Sequence, residues 1–187
     1  MRRIDKPVWG EYPAYSKIYL DLLEDDGKVL ERLWSSFLEI KELIYSLSEE
    51  KLVYHYAKDK WTIKEILIHL IDDERIFAYR ALRNARNDET PLHGFDQDTY
   101  VKYSNANNRS LESIFEEYEL VRKSTIALFE YLPEDSFMRK GSGIDLDGSI
   151  VNERTVRGLA YHIAGHELRH LNVIKERYLS DEGGSAS

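Results

Sequence analysis

The chain has 187 residues, 42% of them hydrophobic, a formal net charge of −8 and no cysteine. That length and apolar content suit one domain with a sizeable core and exclude wholesale disorder. The missing cysteine excludes disulfides, thiolate metal ligands and a cysteine nucleophile, and basic residues scattered among acids exclude a concentrated phosphate-binding face.

The opening MRRIDKPVWGEYPAY has two arginines but no apolar run after them, so it does not read as a secretory signal. No later stretch approaches the roughly 18 apolar residues that a membrane helix needs. A cytoplasmic protein with no membrane or nucleic-acid partner is expected. Residues 1–180 are expected to form one domain, and the small polar tail DEGGSAS (181–187) to be flexible.

A short helical piece is expected over Ala14 to Leu23, ended by the acidic turn Glu24-Asp25-Asp26-Gly27. From Val29 to Leu47, Val29, Leu30, Leu33, Phe37, Ile40, Ile44 and Leu47 recur at three- and four-residue steps, one apolar stripe of a helix. The second long helix has a defined start. Thr62 and Glu65 form a Thr-x-x-Glu capping box, with Trp61 placed to act as a staple. Ile66, Ile76, Phe77 and Leu82 carry this helix toward Arg86, and Asn87 to Pro91 stop it.

A polar crossover is expected from Leu92 to Asn108, then a third helix from about Ser110 to Leu132 with Leu111, Ile114, Phe115, Tyr118, Val121, Leu128 and Phe129 inward. GSGIDLDGSIVNE is the one stretch with hairpin character, and Thr155 caps a fourth helix, VRGLAYHIAGHELRHLNVIKERYL. Four long helices with a long crossover between the second and third describe an all-α four-helix bundle, whose core is a usual place for side-chain metal sites.

Six histidines are present, and His162, His166 and His170 sit four residues apart on the fourth helix. A His-x-x-x-His pair on a helix directs two imidazoles toward one point. His69 interrupts the apolar face of the second helix and is the candidate third ligand. Three protein ligands leave a coordination position for water or substrate, the mark of a catalytic metal. Nitrogen donors favour Zn, Ni, Fe or Cu over Mg and Ca without choosing among the four; Zn or Ni is the first expectation, with Fe or Cu as alternatives. The bland reading is that the histidines only pack. His55 and His93 fall in loops and read as surface residues. Asp73, Asp72 and Glu65 lie within a turn or so of His69 and could orient a ligand or act as a base. Against that stands a solvated acidic strip paired with Arg75 and Arg80. Tyr79 and Tyr161 could line a pocket.

Residues 166–170 read His-Glu-Leu-Arg-His, a literal match to the zinc-peptidase motif. Val173 replaces the glycine that turns the chain in extended versions, only 17 residues follow His170, and no strand-rich segment precedes the motif to supply an edge for a peptide substrate, so a peptidase is not expected. Glu176 points away from His170 on a continuing helix and is set aside as a ligand. Glu167 remains a candidate general base, with a surface glutamate as the plainer reading.

The segments KWTIKEILIHLIDDERIFAYRALRNARND, TPLHGFDQDTYV and VRGLAYHIAGHELRHLNVIKERYL together resemble the DinB-like (DinB/YfiT) superfamily of proposed metalloenzymes. The resemblance implies a four-helix bundle with a metal held by His69, His166 and His170. Many relatives carry a His-His doublet where this chain has Arg169-His170; the departure falls on the non-ligand position. His162 matches no ligand position. The resemblance further implies a small-molecule substrate and a possible homodimer. Its known chemistries include transfer and isomerisation with low-molecular-weight thiols such as bacillithiol, and other relatives are proposed to be metal-dependent hydrolases. In the transferase version Arg80, Arg83 or Arg157 would meet the thiol's carboxylates. A non-enzymatic metal-binding stress-response bundle is the reading from another class.

Overall fold

Side-chain caps set most of the helix starts. In the computed structural model, which describes residues 1–145 and 147–180, a 3₁₀ turn at Ala14–Ser16 leads into the one-turn helix α1 (Lys17–Leu20). The helix α2 (Val29–Tyr45) follows a turn in which Asp26 accepts the Lys28 N–H. Ser48 caps the short α3 (Glu49–Leu52). Thr62 and Glu65 close both halves of the capping box on α4 (Ile63–Ala85), as their spacing predicts. Ser110 caps α6 (Leu111–Glu130), and Thr155 caps α7 (Val156–Val173), which continues into a π-helical turn at Ile174–Tyr178.

The four long helices α2, α4, α6 and α7 form the expected all-α bundle. Around it, α4 packs between α6 and α7, and α2 closes the ring from the other side against the same two helices. The helices consecutive in sequence, α2 and α4, therefore lie diagonally across the core.

The core has two apolar halves. One holds Leu30, Leu33, Phe77, Phe129 and Leu159; the other holds Phe37, Ile40, Ile66, Leu70, Phe115 and Leu171. On every long helix the boundary between the halves is marked by polar residues that are nonetheless buried: Ser36, Asp73 with Glu74, Arg122, and His166 with Glu167. Fully buried charge is rare unless it is paired, so this polar layer is where the chain spends stability on something other than packing.

Two segments differ from expectation, and the expected hairpin gains a third strand. The N-terminal helical piece, the 3₁₀ turn Ala14–Ser16 followed by α1 (Lys17–Leu20), stops short of Leu23, and it packs so closely on α7 that a Cβ at Gly165 would collide with the Tyr19 carbonyl. The crossover is not plain loop. It contains β1 (Leu92–His93), a helix α5 (Gln97–Tyr103) capped by Asp96, and a 3₁₀ turn at Ala106–Asn108. The hairpin forms from β2 (Lys140–Ile144) and β3 (Ile150–Thr155), antiparallel, and β1 adds to β2 in parallel to make a small three-stranded sheet. The partner of β1 lies some fifty residues away, beyond any local signal. The expected tail, 181–187, lies outside the described residues.

Candidate metal centre

His69 sits on the face of α4 that packs against α7, and His166 and His170 occupy neighbouring turns of α7. The three rings converge. His69 Nε2 lies 3.2 Å from His166 Nε2, and His170 Nε2 lies 3.1 Å from the same atom. All three donor atoms fall within 4.8 Å of one another. Four-coordinate zinc with bonds of about 2.0–2.1 Å holds its donors roughly 3.3 Å apart, so the observed spacing fits one ion.

Hydrogen bonding alone does not account for this arrangement. A neutral imidazole nitrogen has one lone pair, so His166 Nε2 cannot accept from two rings at once. The rings are neutral: burial pushes His69 to about 4, with His166 beside it adding to the effect, and burial alone pushes His166 to about 4. His170 is also driven well below its ordinary value, by burial first and then by the other two rings. Neutral rings with lone pairs facing one point are what a cation needs.

Asp73 is buried, and its Oδ2 lies 3.3 Å from His166 Nδ1. A carboxylate there holds the proton on Nδ1 and leaves Nε2 as the donor, the usual arrangement behind a metal-bound histidine. Burial raises the Asp73 carboxyl to about 7, against the opposing pull of His69 and Arg80. On the other side, Trp61 lies 4.7 Å from the His69 ring and runs nearly parallel to His170 at 6.3 Å. The π-helical turn after His170 brings Tyr178 back so that its hydroxyl donates to the Trp61 carbonyl. Wide turns of this kind recur at functional sites.

The acids near His69 do not form a solvated strip. Glu65 is engaged in its capping box, Asp72 is half-buried and faces Arg75, Asp73 orients His166, and Glu74 points into the polar layer. There, the fully buried Arg122 bonds Glu74 through Nε and Nη2 at 2.9–3.1 Å, bonds Glu167, and donates to the Leu33 carbonyl. Glu167 is thus not a surface residue. It is 1% exposed, and its two oxygens also accept from Ser36 and Tyr118. That engagement turns it away from the three rings. Sequence reasoning missed this network, although one signal was present. Arg122 stands four residues after Tyr118 and seven before Phe129, on the inward stripe where Val121 was expected.

A cavity of about 260 Å³ opens beside His166 and Asp73. Tyr15, Tyr19, Phe77, Arg80, Phe95, Gln97, Asp145, Arg154 and His162 are among the residues that line it. His162, which matched no ligand position, stacks flat on Phe77 at 4.0 Å, and its Nδ1 meets Ser16 Oγ at 3.3 Å. Of the three arginines considered from sequence, only Arg80 faces the cavity. Arg83 pairs with Asp88, and Arg157 with Glu11. Arg154 was missed because its place depends on β3. Tyr161 is buried and donates to the Ile4 carbonyl, Tyr79 is exposed, and so are His55 and His93.

The family model of the DinB superfamily matches residues 30–174. A protein of Oceanobacillus iheyensis, provisionally named a metal-dependent hydrolase, is 27% identical over 168 residues, 87% of this chain and 90% of its own length. The uncharacterized protein YuaE of Bacillus subtilis is 27% identical over 153 residues, 74% of this chain and 90% of its own. Among solved structures, YfiT from Bacillus subtilis, described as a candidate metal-dependent hydrolase with an unusual four-helix bundle topology, superposes with a TM-score of 0.67 at 17% identity. That match covers 91% of this chain and 90% of YfiT, and it supports the fold.

Proposed function

The chain belongs to the DinB superfamily, and from that premise we propose that it is a divalent-metal-dependent enzyme acting on a small molecule, with His69, His166 and His170 as the metal ligands and hydrolysis as its reaction. The observation that carries this reading is the convergence of three neutral imidazole nitrogens beside an open cavity. Zinc or nickel suits three nitrogen donors, with iron or copper as alternatives.

An ion held by three protein ligands would supply Lewis acidity toward a substrate carbonyl or a water in its remaining position. The chain's own residues do the rest. Asp73 keeps the His166 ring turned with Nε2 outward. Trp61 and Tyr178 close the side away from the cavity and limit ring rotation. Arg122 ties α4 to α7 one residue beyond Asp73 and His166, so the two helices that carry the ligands cannot slide past each other without breaking buried ion pairs. The relatives named for metal-dependent hydrolysis favour water as the second reactant.

Thiol S-transfer is the second reading, favoured by the arginines that line the cavity. The volume of about 260 Å³ weighs against it, since sites that enclose drug-sized ligands run from about 300 to 1,000 Å³. A binding cavity beside the rings weighs against a purely metal-holding bundle. Homodimer formation belongs to the same proposal, with Tyr79 and Leu120 exposed on α4 and α6, and sedimentation velocity tests it.

The deciding experiment is elemental analysis of protein purified without a polyhistidine tag, followed by turnover of ester, amide and lactone substrates with and without chelator and added thiol. One equivalent of metal and thiol-independent, chelator-sensitive hydrolysis are expected. Full metal content in both His69→Ala and His170→Ala variants would overturn the ligand assignment. Turnover only with thiol would overturn the hydrolase assignment.

A further inference from the structure

The cavity carries charges that metal binding alone does not require. Arg80 and Arg154 both line it, and their guanidinium carbons lie 4.8 and 5.4 Å from the centre of the Phe77 ring. Burial lowers the pKa of both, Arg154 to about 10, so both stay charged at neutral pH. Arg80 donates to the His93 carbonyl at 3.0 Å and makes no other side-chain hydrogen bond among the described residues. Two carboxylates, Asp73 and Asp145, share the cavity wall. Asp73 is turned to His166 Nδ1, so among the described residues the half-buried Arg80 keeps N–H donors that no side chain takes up, and such a charge is costly to bury until an acceptor enters.

We propose that Arg80, with Arg154 adding to its field, anchors the carboxylate of the substrate, so that the enzyme acts on a small, singly charged acid. The reacting end of that molecule rests on the metal reading above; the anchor does not. A planar guanidinium matches a carboxylate through paired N–H donors. A single charge is favoured over a dianion such as phosphate because Asp73 and Asp145 face the same space. The cavity volume limits the acid to a molecule smaller than a drug-sized ligand.

The test is NMR titration of ¹⁵N-labelled full-length protein, metal-free and zinc-loaded, with butanoate, uncharged butyramide and inorganic phosphate. Butanoate is expected to shift the amides of Gly94, Phe95, Gly143 and Asp145 in both forms, with butyramide and phosphate each at least tenfold weaker. Arg80→Gln should weaken butanoate at least tenfold, and Arg80→Lys, which keeps the charge but loses the fork, should fall between. The Lys variant also serves if the Gln variant does not fold. Equal binding of butanoate and butyramide, or butanoate binding unchanged in the Arg80 variants, overturns the anchor. Butanoate bound only by zinc-loaded protein and indifferent to Arg80 does the same while leaving the metal proposal intact. Arg80-dependent binding by a chain that takes up no metal supports the anchor and removes the metal proposal. Tighter binding of phosphate than of butanoate overturns the assignment to a singly charged acid.

Discussion

Replacing Arg122 with alanine should be among the most damaging single substitutions in the chain. Arg122 and Glu74 are 0% and 1% exposed, and Arg122 is the cation shared by Glu74 and Glu167. Burial already raises the Glu74 carboxyl, and Arg122 is what offsets it; in turn, burial would lower the Arg122 guanidinium, but Glu167 and Glu74 together hold it well above its ordinary value. Without the guanidinium the least costly response is for Glu74 to take up a proton. Protonating a carboxyl of ordinary pKa 4.5 at pH 7 costs about 3.4 kcal/mol, at about 1.36 kcal/mol per pH unit. The Leu33 carbonyl also loses its donor, which adds about 1 kcal/mol. The expected loss is therefore about 4 kcal/mol, within the range of about 3–5 kcal/mol for breaking a buried pair. For a chain of this size that is a fall of roughly 8–16 °C in Tm.

The loss should carry a pH signature. A carboxyl whose folded pKa is raised stabilises the fold below its unfolded pKa and loses that contribution as pH rises. The deficit of Arg122→Ala should thus grow by up to about 1.4 kcal/mol per unit between pH 5 and 7. Urea unfolding of metal-free protein at pH 5, 6 and 7 measures it, with the slope on urea checked for constancy. Adding Glu74→Gln to Arg122→Met should recover much of the loss. A deficit below about 1 kcal/mol with no dependence on pH would refute the claim that the layer is desolvated and held by this cation.

Other expectations follow from the same geometry. Asp73→Asn should weaken zinc binding about 10–100-fold while leaving all three ligands in place, measured by competition with a chromophoric chelator. Zinc at 100 times its Kd should stabilise the wild-type chain by about 2.7 kcal/mol, and His166→Ala should abolish that increment in a thermal melt. Gly165→Ala should cost about 1–3 kcal/mol, because its methyl would meet the Tyr19 backbone rather than a side chain that can move aside; an unchanged urea midpoint would show that the segment yields. Glu11 is buried, yet the paired bonds and charge of Arg157, with Thr155, outweigh that burial and lower its pKa. Its stabilisation is present above the ordinary value of 4.5 and fades as pH falls below it, so Glu11→Gln should flatten the acid limb of the stability curve.

The long helices and the three rings could be read from sequence because both depend on short-range spacing. Four-residue steps align His166 with His170, and an apolar stripe interrupted by His69 marks a buried polar side chain. The capping box at Thr62 and the cap at Thr155 are local chemistry in the same sense. What escaped reading depends on pairs far apart in the chain. Nothing near Leu92 indicates a strand partner at Gly143, and nothing near Arg154 places it beside Arg80. Asp73 and Glu74 illustrate the limit most plainly. Adjacent acids look alike in sequence, but one helix rotation of about 100° sends the first to a histidine and the second to a buried arginine.

The joins between distant parts of the chain also govern when the site can exist. Ser16 meets His162, Glu11 meets Arg157, and His69 meets His166, so each half of the arrangement waits for α7. On the ribosome, at about 5–20 residues per second, the first 150 residues emerge with the polar face of α4 lacking its counterpart. Until the last helix docks, the nascent protein has neither a cavity nor three converged donors. The three donors accordingly come together only once α7 has docked, and a chain cut before His166 lacks two of them.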